Sequence, residues 1–335
     1  VGSKQQPFQT ATERYKVVQG GHRFPLHGWI GLAGLLVAEA LLVVRIEVVG
    51  QWFFVLAWWP YILVVDALVY RRKGTSLLVD QRREFLFLLP CSICFWLTFE
   101  LFNLRIGNWR YIAVPESLLL RWSGYAVSFA TVLPGLFETT QLLDAYGIFH
   151  SAPSPRISSS RGWFGPFVAI GLVFSILPLV WPHYFFPLVW GSFTFMLEPL
   201  NYRLGGRSLM RQWQEGSLRT FYLLLGAGAI CGLLWEFWNF WSVTKWIYTV
   251  PYVGFLKIFE MPLLGFLGFP PFAVECYVMM NTVFLFRDNR SWEDPKPGTA
   301  HARPARTVLV ALVLLAYSLF VFHQIDLHTV ATWRP

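Results

Sequence analysis

The chain has 335 residues, 55% of them hydrophobic and only 14% charged, and its mean hydropathy is +0.47. Such proportions do not describe a water-soluble domain. A net charge of +8 would suit a nucleic-acid partner, but the cations fall in short clusters between apolar runs, which argues against one.

Residues 1–21 read as a cytoplasmic segment without the pattern of a cleavable signal peptide. Nine apolar runs follow, at 28–48, 52–70, 85–104, 118–145, 162–182, 184–202, 219–241, 255–286 and 306–324. Crossing a bilayer takes about 20 residues per helix, so the expected fold is an all-α integral membrane protein of about nine spans. The fourth and eighth runs exceed one perpendicular helix, so an interfacial stretch or a proline kink is expected, at Pro134 and at Pro262 or Pro270–Pro271.

An internal repeat organises the runs. Trp58, Asp66, Leu68, Tyr70, Arg71, Gly74, Ser76 and Leu77 recur as Trp190, Glu198, Leu200, Tyr202, Arg203, Gly206, Ser208 and Leu209, always 132 positions later (58 to 190, for example). Glu100, Asn103, Trp109, Tyr111, Pro134 and Glu138 are echoed by Glu236, Asn239, Trp246, Tyr248, Pro271 and Glu275, 136 or 137 positions on. The reading is a tandem repeat of four transmembrane helices: repeat one over 22–148, a Ser/Pro linker over 149–161, repeat two over 162–286. A second linker, 287–305, leads to a ninth helix at 306–324 and a tail at 325–335. Four spans per repeat is an even number, so both copies enter the membrane from one side as parallel repeats. The unduplicated ninth helix is a candidate contact for a membrane-protein partner.

Assigning Lys and Arg to alternate sides puts 20 of the 27 on one side. This positive-inside asymmetry predicts a bacterial inner-membrane protein with its N-terminus cytoplasmic and its C-terminus external. The basic loops then meet lipid headgroups. Cys91 and Cys94 form a CxxC inside the third apolar run and read as small apolar residues. Among the 17 Trp, those at span ends read as an aromatic belt. Trp58, Trp96, Trp190, Trp235 and Trp238 lie deeper or beside carboxylates.

Acids within apolar runs carry the functional signal, because a charge at mid-membrane costs about 2.5–3.5 kcal/mol on insertion scales. They occur in matched pairs: Asp66/Glu198, Glu100/Glu236 and Glu138/Glu275. Asp66 and Glu198 precede Arg71 and Arg203 by five residues, so a structural ion pair is the plain reading. Glu100 and Glu236 each precede an asparagine (Asn103, Asn239) on the same helical face, which also fits a hydrogen-bonded network across the bundle. Glu138 and Glu275 follow Pro134 and Pro271 by four residues, where a polar pocket or a helix–helix hydrogen bond would form. A carboxyl kept from water and partners holds its proton, and so can act as a general acid.

Other chemistries find no support. The seven histidines lie in termini, linkers or span ends, no Lys is mid-span, and no Cys/His grouping has metal spacing, so neither metal nor cofactor is expected.

The Trp235-Glu236 segment, the Lys245-Trp246-Ile247-Tyr248 loop and Pro271-Phe272-Ala273-Val274-Glu275 resemble the membrane lycopene cyclase domain of carotenoid biosynthesis. Phe99-Glu100, Asn108-Trp109-Arg110-Tyr111 and Pro134-Gly135-Leu136-Phe137-Glu138 match its other copy more loosely. That family carries adjacent acids close behind the proline, where this chain has one glutamate four residues on. The resemblance implies paired multi-helix units and redox-neutral acid catalysis on a hydrophobic isoprenoid taken from membrane lipid. It makes Glu138, Glu275, Glu100 and Glu236 the candidate catalytic acids and bases. Trp96, Trp235, Trp238, Asn103, Asn239, Tyr111 and Tyr248 are the candidate substrate-binding residues. Two readings of other classes stand beside it: a non-enzymatic membrane subunit holding lipid, quinone or pigment, and a proton-coupled transporter.

Overall fold

A computed structural model describes residues 21–157, 161–287 and 304–333. Nearly all of the expected N-terminal segment and of the 287–305 linker, with residues 158–160 and 334–335, lies outside the described residues. In chain order, α1 (Leu26–Val43) and α2 (Glu47–Lys73) form a hairpin, and the short α3 (Leu77–Asp80) turns into α4 (Arg82–Ile106). Strand β1 (Trp109–Ile112), α5 (Leu118–Phe129) and α6 (Val132–Ala145) complete the first half. The second half contains α7 (Phe164–Val180), α8 (Pro182–Phe185), a 3-10 helix Phe186–Gly191, α9 (Ser192–Arg203), α10 (Leu209–Gln214), α11 (Arg219–Trp241) and β2 (Lys245–Tyr248). A hairpin of β3 (Lys257–Ile258) and β4 (Met261–Pro262) then leads through a 3-10 helix, Leu263–Gly268, into α12 (Phe269–Arg287), and α13 (Pro304–His328) follows.

Six helices among the described residues are long and apolar enough to cross a membrane: α1, α2, α4, α11, the stretch Leu263–Arg287 that contains α12, and Val308–His328 of α13. The protein is a predominantly helical, multi-pass membrane protein. The other expected runs take shorter or broken form. α7 is apolar but only 17 residues long, the 118–145 run divides into α5 and α6, and the 184–202 run is interrupted at Trp190 (φ −77°, ψ 19°).

The prolines expected to kink the long runs instead begin helices. Pro134 is the third residue of α6, and Pro270 and Pro271 are the second and third of α12. A first turn has no intrahelical acceptor for its N–H groups, so proline loses nothing there and its fixed φ suits the start. Glycine ends two of the long helices. Gly74 (φ 75°) and Gly107 (φ 63°) adopt the left-handed conformation and donate their N–H to Tyr70 O at 2.7 Å and Asn103 O at 2.8 Å.

Small residues set the helix spacing. A Cβ on Gly31 of α1 would lie 2.7 Å from Pro60 O of α2, and one on Gly171 of α7 would lie 2.9 Å from Ser192 O of α9. In lipid, where apolar contact alone gives no preference, such close backbone approach lets helices pack. The core runs through the middle of the bundle, where α6 packs against α2, α4 and α11, and α12 packs against α9 and α11.

The two ends of the bundle differ. One end is ionic: Lys73 Nζ is 2.6 Å from Asp144 Oδ2, Arg219 pairs with the same carboxylate, and Arg287 meets Glu84 at 2.9 Å. The other carries a two-stranded antiparallel ribbon of β1 and β2. Residues following α13 join that ribbon, with Tyr111 N donating to Thr329 O (2.8 Å) and Ala331 N to Tyr111 O (2.7 Å). α13 packs on α4 and is tied to α5 through Asp326. That carboxylate accepts from Arg121 (2.9 and 2.8 Å), Trp122 Nε1 (2.9 Å) and the Tyr125 hydroxyl (3.1 Å).

Candidate functional site

The three acid pairs occupy three levels of the bundle. At the ionic end, Asp66 accepts from the Ser76 hydroxyl (2.8 Å) and Leu78 N–H (2.9 Å). Glu198 accepts from the Ser208 hydroxyl (2.5 Å) and Met210 N–H (2.8 Å). Each serine also caps the short helix that follows it, accepting from Val79 or Arg211 N–H. The expected ion pairs with Arg71 and Arg203 do not form. The chain turns sharply after each arginine and brings a serine and a free helix N-terminus to the acid instead.

At the ribbon end, Glu100 Oε1 accepts from Trp96 Nε1 (2.9 Å), Trp109 Nε1 (3.0 Å) and the Tyr111 hydroxyl (2.5 Å). Glu236 Oε1 accepts from the Tyr248 hydroxyl at 2.7 Å, which in turn accepts from Trp246 Nε1 at 2.8 Å. The asparagines one turn on hold the strands. Asn103 Oδ1 accepts from Asn108 and Trp109 N–H while its Nδ2 donates to Trp109 O; Asn239 does the same to Trp246 N–H and O. The spacing Glu, three, Asn, then Trp and Tyr two apart is thus a built unit. An alternating strand points its Trp and Tyr to one face, and the helix supplies the acid they share.

Glu138 and Glu275 lie between these levels and are both fully buried. Glu275 Oε1 accepts from Phe193 N–H (2.6 Å) and lies 3.3 Å from the Ser192 hydroxyl, so it caps α9 where that helix starts after Trp190. Glu138 has no donor on either oxygen, and its carboxyl neighbour is Asp66. Where α9 begins in the second half, the first half has unbroken α2 with Pro60, which has no N–H to offer.

Between the halves and beneath the ribbon is a cavity of about 640 Å³. Its wall takes Trp96, Trp109 and Tyr111 from the first half and Trp190, Trp235, Trp246 and Tyr248 from the second. Its lining includes surface residues on two flanks: Leu120 of α5, 49% exposed, and Leu264 of the Leu263–Gly268 turn, 58% exposed. Of the residues expected to bind a ligand, Trp96, Trp235, Tyr111 and Tyr248 line this cavity. Asn103 and Asn239 are buried behind it, holding strands. Trp238 also lies off the wall, packed edge-on to Trp58 with its Nε1 3.3 Å from Glu39 Oε1. None of Glu100, Glu236, Glu138 and Glu275 lines the cavity. Trp109, Trp190, Trp246 and Phe272 also line the wall; the Trp-x-Tyr alternation could have marked Trp109 and Trp246, Trp190 stands out only as a deep tryptophan and the repeat partner of Trp58, and no local pattern marks Phe272.

No family model, curated protein or solved structure matches the chain.

Proposed function

We propose that the chain consists of two like four-span halves with a ninth helix beside them, and that the chamber between them takes one long isoprenoid-type molecule sideways from lipid. The observation that carries this is the wall, whose rings come from both halves around about 640 Å³, a volume within the range of small-molecule sites. The ribbon register supports the two-halves reading. Trp109 stands opposite Tyr248 and Tyr111 opposite Trp246, the self-complementary pairing that a two-fold axis requires. Charge sidedness orients the ionic end to the cytoplasm of a bacterial inner membrane, with the ribbon and the C-terminus external.

The chemistry proposed is redox-neutral: a proton adds to a terminal alkene, a ring closes or water adds, and a proton leaves. It follows the resemblance to membrane lycopene cyclases. Aromatic faces of the wall would hold the cation, each desolvated contact contributing about 2 kcal/mol. Tyr111 and Tyr248 line the chamber and each bonds a buried glutamate. A phenol can therefore give its proton to the alkene while taking one from a protonated Glu100 or Glu236, and the reverse relay can return the departing proton to that carboxylate. Glu138 and Glu275, the expected proton donors, stand behind the wall. That position favours the second reading, a non-enzymatic subunit holding lipid, quinone or pigment.

Expression in a lycopene-accumulating host, with pigment analysis of the purified protein, tests both. Retention of about one polyene per chain, lost on Gly124→Phe beside Trp52 at the chamber's edge, supports the chamber. Cyclised or hydrated product abolished by the Tyr111→Phe, Tyr248→Phe double variant supports catalysis, and unchanged bound polyene supports the second reading. No retained polyene and no product overturns both.

A further inference from the structure

The first half contains a chain of protonatable groups that the second half lacks. Glu138 is fully buried with both carboxyl oxygens unpartnered, and it interacts carboxyl to carboxyl with Asp66, itself fully buried. Beyond Asp66 stands His27. Its Nε2 is buried and 2.9 Å from Asp66 Oδ2, within ion-pair reach though outside hydrogen-bond geometry, while the side chain as a whole is 24% exposed. One nitrogen therefore faces the acid and the ring reaches the surface at the ionic end.

Two neighbouring carboxyls buried away from water are not both ionised without a cation between them. Besides His27, the cation whose charge reaches Glu138 is Lys73, and it is already engaged with Asp144, which Arg219 also pairs with. The other groups facing Glu138 are the Tyr61 hydroxyl, which bonds to Thr139 at 2.8 Å, and the Cys231 thiol behind it. Neither of these two brings a positive charge. We propose that Asp66 and Glu138 share one proton, loaded from the ionic face through His27, making a proton-binding site at lipid depth in the first half alone. A proton arrives on the outer imidazole nitrogen, Nε2 passes one to Asp66 as the ring turns into line, and the carboxyl pair keeps one proton and one negative charge. At the corresponding place in the second half, Glu275 is committed to the α9 N-terminus and Glu198 to Ser208 and Met210.

The site does not depend on what the chamber holds, and its test uses no chamber ligand. Dicyclohexylcarbodiimide, which reacts with protonated carboxyls in apolar surroundings, is applied to the wild-type protein in detergent and the adduct mapped by mass spectrometry. Label on Glu138 with at least ten-fold less on Glu275 is expected; equal labelling, or none on Glu138, overturns the proposal. Infrared spectroscopy supplies an independent readout. One component of the protonated-carboxyl stretch should be lost in Glu138→Gln and kept in Glu275→Gln, and the shift of that component on transfer to D₂O should slow at least ten-fold in His27→Phe. A spectrum unchanged by Glu138→Gln, or a component that exchanges at the wild-type rate without His27, contradicts it.

Discussion

Glu138 and Glu275 each follow a proline by four residues near the start of a central helix, yet one is tied down and the other is not. The difference lies in the helix opposite. In the second half a break at Trp190 exposes the N-terminus of α9, and Glu275 accepts its N–H groups. In the first half α2 runs unbroken past Pro60, so no N–H faces Glu138 and a second carboxyl does. One backbone break thus turns a free acid into a structural cap.

Replacing both acids by leucine is the strongest way to break this comparison. Glu275→Leu leaves buried N–H groups of α9 without an acceptor, so thermal unfolding in detergent should show a loss of about 2–3 kcal/mol. Glu138→Leu removes a carboxyl with no donors, and is expected to leave the melting temperature equal or higher. Equal losses at both positions would contradict the contrast.

The glutamates at the ribbon sharpen it next. Glu100 has three side-chain donors and Glu236 takes its indole through Tyr248. Tyr248→Phe should therefore cost about 2 kcal/mol and Tyr111→Phe about 1 kcal/mol, on the scale of hydrogen bonds to charged and shared acceptors. Thermal melts of the two single variants compare them directly. A larger cost at Tyr111 would reverse the expected order.

The serine caps give the smallest effect and the control for likeness. Ser76→Ala and Ser208→Ala should each cost about 1 kcal/mol, equal within error, because their bonds to Asp66 and Glu198 match. Unequal losses would show that the two halves differ more than their geometry does.

These contrasts also mark what the sequence could reveal. The Asp66–Ser76 and Glu198–Ser208 units, and the Glu-Asn-Trp-Tyr units, were legible because each needs fixed residue types at fixed short separations. Their functions were less so. The arginines after Asp66 and Glu198 looked like partners because they are near in sequence, whereas the chain turns them away. Pro134 and Pro271 read as kinks because local rules do not reveal where a helix begins inside an apolar run. The break at Trp190 depends on a carboxylate more than 80 positions later, Glu275, and the ribbon pairs strands from opposite halves. Such long-range partners leave no local periodicity. For the same reason the chamber wall was only partly legible: Trp96, Trp235, Tyr111 and Tyr248 stood out beside acids and Trp190 through the repeat, while Phe272 reaches it through tertiary packing alone.

The central proposal is that one long apolar molecule lies among the tryptophans between the halves. Tryptophan fluorescence during titration with a polyene tests it most directly, since Trp96, Trp109, Trp190, Trp235 and Trp246 all line the chamber. The account predicts saturable quenching at about one polyene per chain, lost in Gly124→Phe. Quenching that rises without saturation, or is unchanged in that variant, would contradict it.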